Sequence, residues 1–133
     1  MINGSCLCGG VSYEAEGPLF AMARCHCVQC RKASGAEFAT NASVKEGTFR
    51  VTRGEDLVKD FAWSPGNRRY FCGRCGSPLF KRHDSRPGEV RLRLGTVDTE
   101  LTERPFAHVF VGEKPAWSDI TDDLPQFETL PGK

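Results

Sequence analysis

The sequence lacks the features of a membrane protein or of a disordered chain. Its longest unbroken apolar run covers five residues, 19–23, whereas a membrane-spanning helix needs about 20. The first residues have neither a basic start nor an apolar stretch, so we expect no secretory signal and a cytoplasmic location. Hydrophobic residues make up 39% and charged residues 26% of the 133 residues, which is ordinary for globular proteins. We therefore expect one domain over residues 1–133.

A large charge excess is also absent, because 18 basic residues face 17 acidic ones. The charges are unevenly placed: residues 1–95 hold 15 basic and 9 acidic residues, and residues 96–133 hold 3 and 8. We interpret the basic excess as a solvated face balanced by the acidic tail, and we do not expect nucleic acid as a partner. The basic residues are densest at Arg68, Arg69, Arg74, Lys81, Arg82, Arg86, Arg91 and Arg93.

Cysteine, in contrast, is abundant. Seven cysteines are an odd number, so pairwise disulfides cannot use all of them. In a chain without secretory features, clustered cysteines more often bind metal or take part in catalysis. They fall into three groups: Cys6 and Cys8; Cys25, Cys27 and Cys30; Cys72 and Cys75.

This two–three–two distribution suggests one four-cysteine site, from the first and last groups, and one three-cysteine site. A structural zinc ion usually has four protein ligands, whereas a catalytic one has three and an open position. Alternatives stay open. Cys27 and Cys30 could join Cys72 and Cys75 in a ribbon-like site, across a gap longer than the usual roughly 15–20 residues. Cys27 and Cys30 could instead form a redox pair, or all seven cysteines could be inert and buried.

The three histidines carry weaker signals. We expect His26 to orient the middle cysteine group or to be solvated; a role as a fourth metal ligand is a weaker alternative. His83 and His108 stand alone in the sequence and are interpreted as ordinary histidines.

Hydrophobic residues alternate with polar ones over many short segments, which predicts a mainly β protein with little helix. The one predicted helix covers residues 26–33 and ends at Ser34-Gly35. From residue 113 the chain is irregular, and we expect its apolar residues to pack: Trp117, Ile120, Leu124 and Phe127. The predicted strands lie at residues 11–16, 37–40, 48–52, 57–63, 69–71, 79–82, 89–94 and 108–111.

The cysteine groups and their flanks resemble a known family. The segments that carry the resemblance are GSCLCGGVSY at residues 4–13, CHCVQCRKASG at 25–35 and FCGRCGSPL at 71–79. Later segments fit the same pattern: RPFAHVFV at 104–111, KPAW at 114–117 and DDLPQF at 122–127. Together they resemble the glutathione-dependent formaldehyde-activating enzyme family, which includes centromere protein V.

The resemblance implies a small, tent-like, mostly antiparallel β fold built around zinc knuckles, with two zinc ions in each chain. It implies a structural zinc site at Cys6, Cys8, Cys72 and Cys75. It implies a second, catalytic zinc site at Cys25, Cys27 and Cys30.

The resemblance also implies a carbon–sulfur lyase-type activity like that of S-hydroxymethylglutathione synthase, with a small thiol such as glutathione and a small aldehyde as partners. The chain is shorter than the enzymes that give the family its name, so two alternatives stay open: a non-catalytic zinc-stabilised binding module, and a zinc-dependent hydrolase of another small molecule. Arg24, Arg31 or Lys32 are candidates to bind an anionic substrate. The sequence offers no identifiable pocket for the two carboxylates of glutathione.

Overall fold

A computed structural model describes residues 1–132 of the chain. In this part the chain forms ten β-strands and one short α-helix, joined by turns and single 3₁₀ turns. The strands are β1 (Ile2–Ser5), β2 (Ser12–Ala15), β3 (Phe20–Cys25), β4 (Ala39–Lys45), β5 (Arg50–Arg53), β6 (Val58–Ser64), β7 (Asn67–Cys72), β8 (Pro78–His83), β9 (Glu89–Arg93) and β10 (Ala107–Val109), and helix α1 is Val28–Ser34.

The strands form two sheets. The smaller sheet has the order β1-β2-β5, and the larger one has the order β10-β3-β4-β9-β8-β7-β6. Within the described residues, every strand pair is antiparallel except β3 with β10. The predicted mainly β, mostly antiparallel fold with little helix is therefore confirmed.

The larger sheet has one apolar face and one polar face, because successive strand residues point to opposite sides. On the apolar side, Val44, Val90 and Leu92 are fully buried. They join Val11 and Tyr13 of the N-terminal segment in one hydrophobic core. The opposite side of the same strands carries polar and charged residues, and this side forms one wall of a cavity.

Helix α1 begins two residues later than predicted. Cys27 is its N-cap, and Gly35 ends it in the left-handed conformation with φ 66° and an N–H bond to the Arg31 carbonyl. A left-handed C-terminal residue is usually glycine because it has no Cβ. Among residues 1–132, no helix is long and apolar enough to cross a membrane.

The strand predictions are confirmed for β2 and for β5 to β10, within a few residues. The expected strand at 37–40 is wrong in its bounds, because β4 continues through Asn41 and Ser43, both buried polar residues. Strands β1 and β3 were not predicted. The expectation that Trp117 packs is also wrong, because its side chain is 69% exposed, whereas Phe127 does pack against a small second core.

Candidate metal centres and the adjoining cavity

The first and last cysteine groups meet between the two sheets. Cys6 and Cys8 lie in the loop after β1, Cys72 ends β7, and Cys75 lies in the turn before β8. Their four sulfur atoms lie within 4.8 Å of one another. The Sγ atoms of Cys6 and Cys8 are 3.5 Å apart, and those of Cys8 and Cys72 are 3.8 Å apart. Four sulfurs at this spacing can hold one metal ion.

Hydrogen-bond donors surround this cluster. The Val11 N–H donates to Cys6 Sγ at 3.2 Å, and the N–H of Cys75 donates to Cys72 Sγ at 3.4 Å. The Arg74 Nε donates to Cys8 Sγ at 3.3 Å. Such donors offset part of the negative charge that four thiolates bring to a divalent ion.

The pKa values of this group respond to the same contacts. The hydrogen bond from Arg74 lowers the pKa of Cys8, and hydrogen bonds from Ser77 lower the pKa of Cys75 to about 5. Burial raises the pKa of Cys6. The exposed side of the cluster thus favours the thiolate form that binds metals.

The middle cysteine group lies where β3 passes into α1. Cys25 ends β3, Cys27 is the N-cap and Cys30 lies in the first turn of α1, and the three sulfurs lie within 4.8 Å of one another. The Cys30 N–H donates to Cys27 Sγ at 3.3 Å. Thiol hydrogen bonds from Cys25 and Cys27 lower the pKa of Cys30, and the nearby positive charge of Arg93 also lowers it. This set of soft donors also suits a metal ion.

The geometry therefore groups the cysteines as four and three. Cys27 and Cys30 do not lie in the cluster that contains Cys72 and Cys75, so the ribbon-like pairing is wrong. All seven cysteines are free.

A cavity of about 280 Å³ opens beside the three-cysteine group. This volume lies near the lower end of small-molecule sites. Phe110 lines the cavity in the left-handed conformation, with φ 55°, a strained conformation for a bulky residue that often marks functional sites. Polar and charged lining residues include Gln29, Asn41, Asn67, Arg69, Lys81, His83, Ser85, Arg86, Glu89, Arg91 and Glu113.

Part of the basic stretch lines this cavity, so the prediction of a solvated face is wrong for Arg69, Lys81 and Arg91. Burial lowers the pKa of Lys81 and lowers that of Arg91 to about 10. Arg93, which is 6% exposed, does not line this cavity, and its Nη1 lies 3.9 Å from Cys30 Sγ. Arg69, Lys81 and Arg91 reach the cavity because alternate residues of β7, β8 and β9 point to the side of the sheet opposite the core.

The three basic residues expected near an anionic substrate do not line the cavity. Arg24 forms an ion pair with Asp122 at 2.9 Å, and Arg31 donates to the Glu113 carbonyl at 3.2 Å. Lys32 is exposed on α1. The substrate role expected for them is therefore not supported by their positions.

Two histidines form a buried chain beside the three-cysteine group. His26 Nε2 and His108 Nδ1 are 2.8 Å apart, and His108 Nε2 lies 3.0 Å from both carboxylate oxygens of Asp122. His26 is fully buried, so the alternative of a solvated side chain is wrong. His108 is 2% exposed and does not stand alone. Sequence reasoning missed this contact because 82 residues separate the two histidines.

Comparison with known proteins gives a family and a fold. A family model described as glutathione-dependent formaldehyde-activating enzyme matches residues 1–113. No curated protein matches the chain. A solved structure of a Rhodobacter sphaeroides protein is similar in fold, with a TM-score of 0.64 and 24% sequence identity, over 75% of this chain and 91% of that chain.

Proposed function

The chain belongs to the glutathione-dependent formaldehyde-activating enzyme family, and we propose that it is a zinc-dependent carbon–sulfur lyase-type enzyme. Its substrates are a small thiol such as glutathione and a small aldehyde such as formaldehyde. In the synthetic direction a bond forms between the thiol sulfur and the carbonyl carbon, and the thiol proton ends on the former carbonyl oxygen. The reaction needs no other reactant.

One observation carries this proposal: three free thiols, Cys25, Cys27 and Cys30, line a cavity of small-molecule size. These residues hold the catalytic zinc ion. Bound there, zinc would supply a Lewis acid with an open position for a sulfur or oxygen ligand. The cavity holds thiol and aldehyde side by side, which removes much of the entropy cost of bringing them together.

Residues around the three thiols hold them in place. The backbone N–H of His26 donates to the Val109 carbonyl at 3.0 Å, which ties the loop between Cys25 and Cys27 to β10. The Gln29 Oε1 accepts from Asn67 Nδ2 at 3.2 Å and from Arg69 Nη2 at 3.3 Å, which ties the first turn of α1 to β7. The cluster therefore rests on two strands of the larger sheet.

The second zinc ion is structural, and Cys6, Cys8, Cys72 and Cys75 hold it. The close sulfur spacing and the backbone N–H donors support this assignment. Free cysteines throughout the chain fit a reducing compartment, so we place the enzyme in the cytoplasm.

The position of the basic residues favours a small anionic ligand over nucleic acid. A nucleic-acid module presents its basic residues on an exposed face, whereas Lys81 and Arg91 point into the cavity. The enzyme is therefore preferred over the binding module.

The substitution Cys27→Ala tests this function. We expect the variant to bind one metal ion where the parent binds two, and to keep its fold because Cys27 is only half-buried at the start of α1. Adduct formation from glutathione and formaldehyde, followed by NMR exchange, should fall to the uncatalysed rate. Metal content is measured by elemental analysis.

The control is Lys32→Gln, which changes an exposed residue of the same helix outside the cavity and should keep both metal ions and the rate. If Cys27→Ala catalyses adduct formation as fast as the parent, the proposed function is wrong. Turnover of an ester or amide without any thiol would favour the hydrolase instead.

A further inference from the structure

Three basic side chains form a row across three neighbouring strands on the cavity side of the larger sheet. Arg69 of β7 pairs with Lys81 of β8, and Lys81 pairs with Arg91 of β9. Side chains that are directly opposite on adjacent strands lie about 4.5–5.5 Å apart at Cβ, and like charges in such pairs are destabilising. All three residues line the cavity. We call Arg69, Lys81 and Arg91 the cationic row.

The cationic row has no acidic partner in the described part of the chain. Of the ion pairs within residues 1–132, none includes a residue of the row. Arg91 donates only to neutral groups, which are the Ala21 carbonyl at 2.8 Å, the Ser43 hydroxyl at 3.0 Å and the Asn41 carbonyl at 3.4 Å. Arg91 is therefore held in place by neutral contacts, and no residue of the row is paired with a carboxylate.

Two polar atoms beside the row also have no partner. The Nη1 of Arg69 and the Oδ1 of Asn67 are buried without a hydrogen bond, and Asn67 is only 6% exposed. Buried polar groups normally have partners, and each exception needs a cause. Both residues line the cavity. A carboxylate there can accept from Arg69 Nη1, whereas Asn67 Oδ1 is itself an acceptor and needs a donor.

Other charges near the row do not cancel it. Glu89 and Glu113 line the cavity, but Glu89 accepts from Ser43 and lies 3.8 Å from Arg86, and Glu113 accepts from the Val28 N–H. Three thiolates around a divalent ion carry one net negative charge, fewer than the three positive charges of the row. The cavity therefore keeps a net positive charge, which favours an anionic ligand.

We propose that the cationic row is a carboxylate-binding subsite that selects thiols carrying a carboxylate. This inference rests on the proposed function, because the thiol end of the ligand is assigned to the three-cysteine group. One distance supports the arrangement: Arg69 Nη2 lies 3.9 Å from Cys30 Sγ, so one end of the row lies beside the cysteines. A short thiol acid can place its sulfur at the cysteines and its carboxylate at the row.

Thiol binding to the zinc-loaded full chain tests the subsite. The probes are 3-mercaptopropionate, 2-mercaptoethanol and propionate, which separate the contribution of the carboxylate from that of the sulfur. By calorimetry the parent should bind 3-mercaptopropionate at least about tenfold more tightly than 2-mercaptoethanol, since charge-assisted hydrogen bonds are the stronger ones. The preference should decrease with added salt.

The substitution Lys81→Gln should reduce the preference to about threefold or less, and Lys81→Arg, which keeps the charge, should retain most of it. The matched control Lys32→Gln removes one lysine charge outside the cavity and should keep the full preference. Thermal melting is used to check that each variant is folded. If Lys81→Gln does not fold, Arg91→Gln and Lys81→Arg provide the comparison.

The outcomes separate this inference from the proposed function. Equal affinity for the charged and the neutral thiol in the parent overturns the subsite and leaves the proposed function standing. Equal affinity for propionate and 3-mercaptopropionate, lost in Lys81→Gln, with no binding of 2-mercaptoethanol, overturns the proposed function but supports the carboxylate site. If no probe binds the parent, both are wrong.

Discussion

At the scale of single residues, Tyr13 is the largest of the fully buried side chains. Its hydroxyl is 2.8 Å from the Thr96 hydroxyl, and its ring centroid lies 5.7 Å from that of Phe49. Burial raises the pKa of Tyr13 to about 12, whereas a tyrosine in the unfolded chain has a pKa of about 10. The neutral phenol is therefore favoured in the folded state, and its contribution to stability is complete below about pH 10 and is lost as the pH rises toward about 12.

The substitution Tyr13→Phe should remove this pH dependence. Relative to the variant, the parent should lose about 1.4 kcal/mol of unfolding free energy between about pH 8 and about pH 11. Denaturant unfolding of both proteins at the two pH values measures this loss of free energy. Titratable groups that both proteins share cancel in the difference. A difference that stays constant with pH would show that Tyr13 is not buried as described.

The sequence predicts the cysteines of the site better than it predicts the basic residues of the cavity. The cysteines are visible because their short spacings are themselves unusual, and their neighbours in space are partly their neighbours in sequence. Lys81 and Arg91 are not visible in this way, since an alternating strand gives the same pattern whether its polar face meets solvent or a cavity. The contact between His26 and His108 depends on the parallel pairing of β3 with β10, for which the sequence carries no local signal.

At the scale of elements, Gly54 sets how the turn after β5 packs against the cysteine loop. It has a left-handed φ of 76°, and a Cβ built on it would lie 2.0 Å from the carbonyl oxygen of Gly10. Gly10 follows Cys8 by two residues. A side chain at Gly54 would therefore displace the backbone that carries Cys8.

The substitution Gly54→Ala should destabilise the protein more than a left-handed conformation alone explains. The matched control is Gly88→Ala, because Gly88 has a similar φ of 80° and nothing within 4 Å of the added Cβ. We expect about 1–2 kcal/mol of destabilisation for the control, and about 1–3 kcal/mol more for Gly54→Ala from overpacking. Denaturant unfolding measures both; equal losses would show that the contact with Gly10 is easily relieved.

Strands with clean alternation are the ones that the sequence predicts, such as β2, β5 and β9. Strand β1 (Ile2–Ser5) contains Asn3 and Gly4, which are unfavourable in strands, and Gly4 is present because the Tyr13 ring fills the place of its Cβ. Strand β3 breaks its own alternation, with a register shift between Phe20 and Ala23 and a φ of 52° at Ala21. Tertiary contacts form these two strands where local propensity does not.

At the scale of the whole molecule, the four-cysteine cluster joins the two sheets. Cys6 and Cys8 lie in the loop between β1 and β2 of the smaller sheet, whereas Cys72 and Cys75 lie at the end of β7 and in the turn before β8 of the larger sheet. Cys8 and Cys72 are 64 residues apart in the sequence. The three-cysteine group, in contrast, lies within the larger sheet and the adjoining helix. The sequence predicted both groups, but not that only one of them bridges the sheets, because strand order and the relative position of sheets are not encoded locally.

The substitution Cys72→Ser should therefore affect the whole fold, unlike Cys27→Ala. Cys72 is fully buried and belongs to the main core, and on the proposed assignment it holds the structural zinc ion. Structural zinc contributes about 10–16 kcal/mol in small zinc peptides, comparable to the roughly 5–15 kcal/mol that stabilises a domain. We expect the variant to lose cooperative thermal unfolding and the ordered β signal in circular dichroism.

Metal content and melting, measured together, separate the two sites. Cys27→Ala should keep one metal ion and a cooperative transition close to that of the parent, because the contacts between the sheets are intact. Cys72→Ser should lose the structural ion, and chelation of the parent should reproduce its loss of cooperativity, since a long loop is no longer closed by the ion. A Cys72→Ser protein that melts like the parent with the same metal content would contradict the structural assignment. The reverse result, in which Cys27→Ala unfolds and Cys72→Ser does not, would exchange the roles of the two clusters.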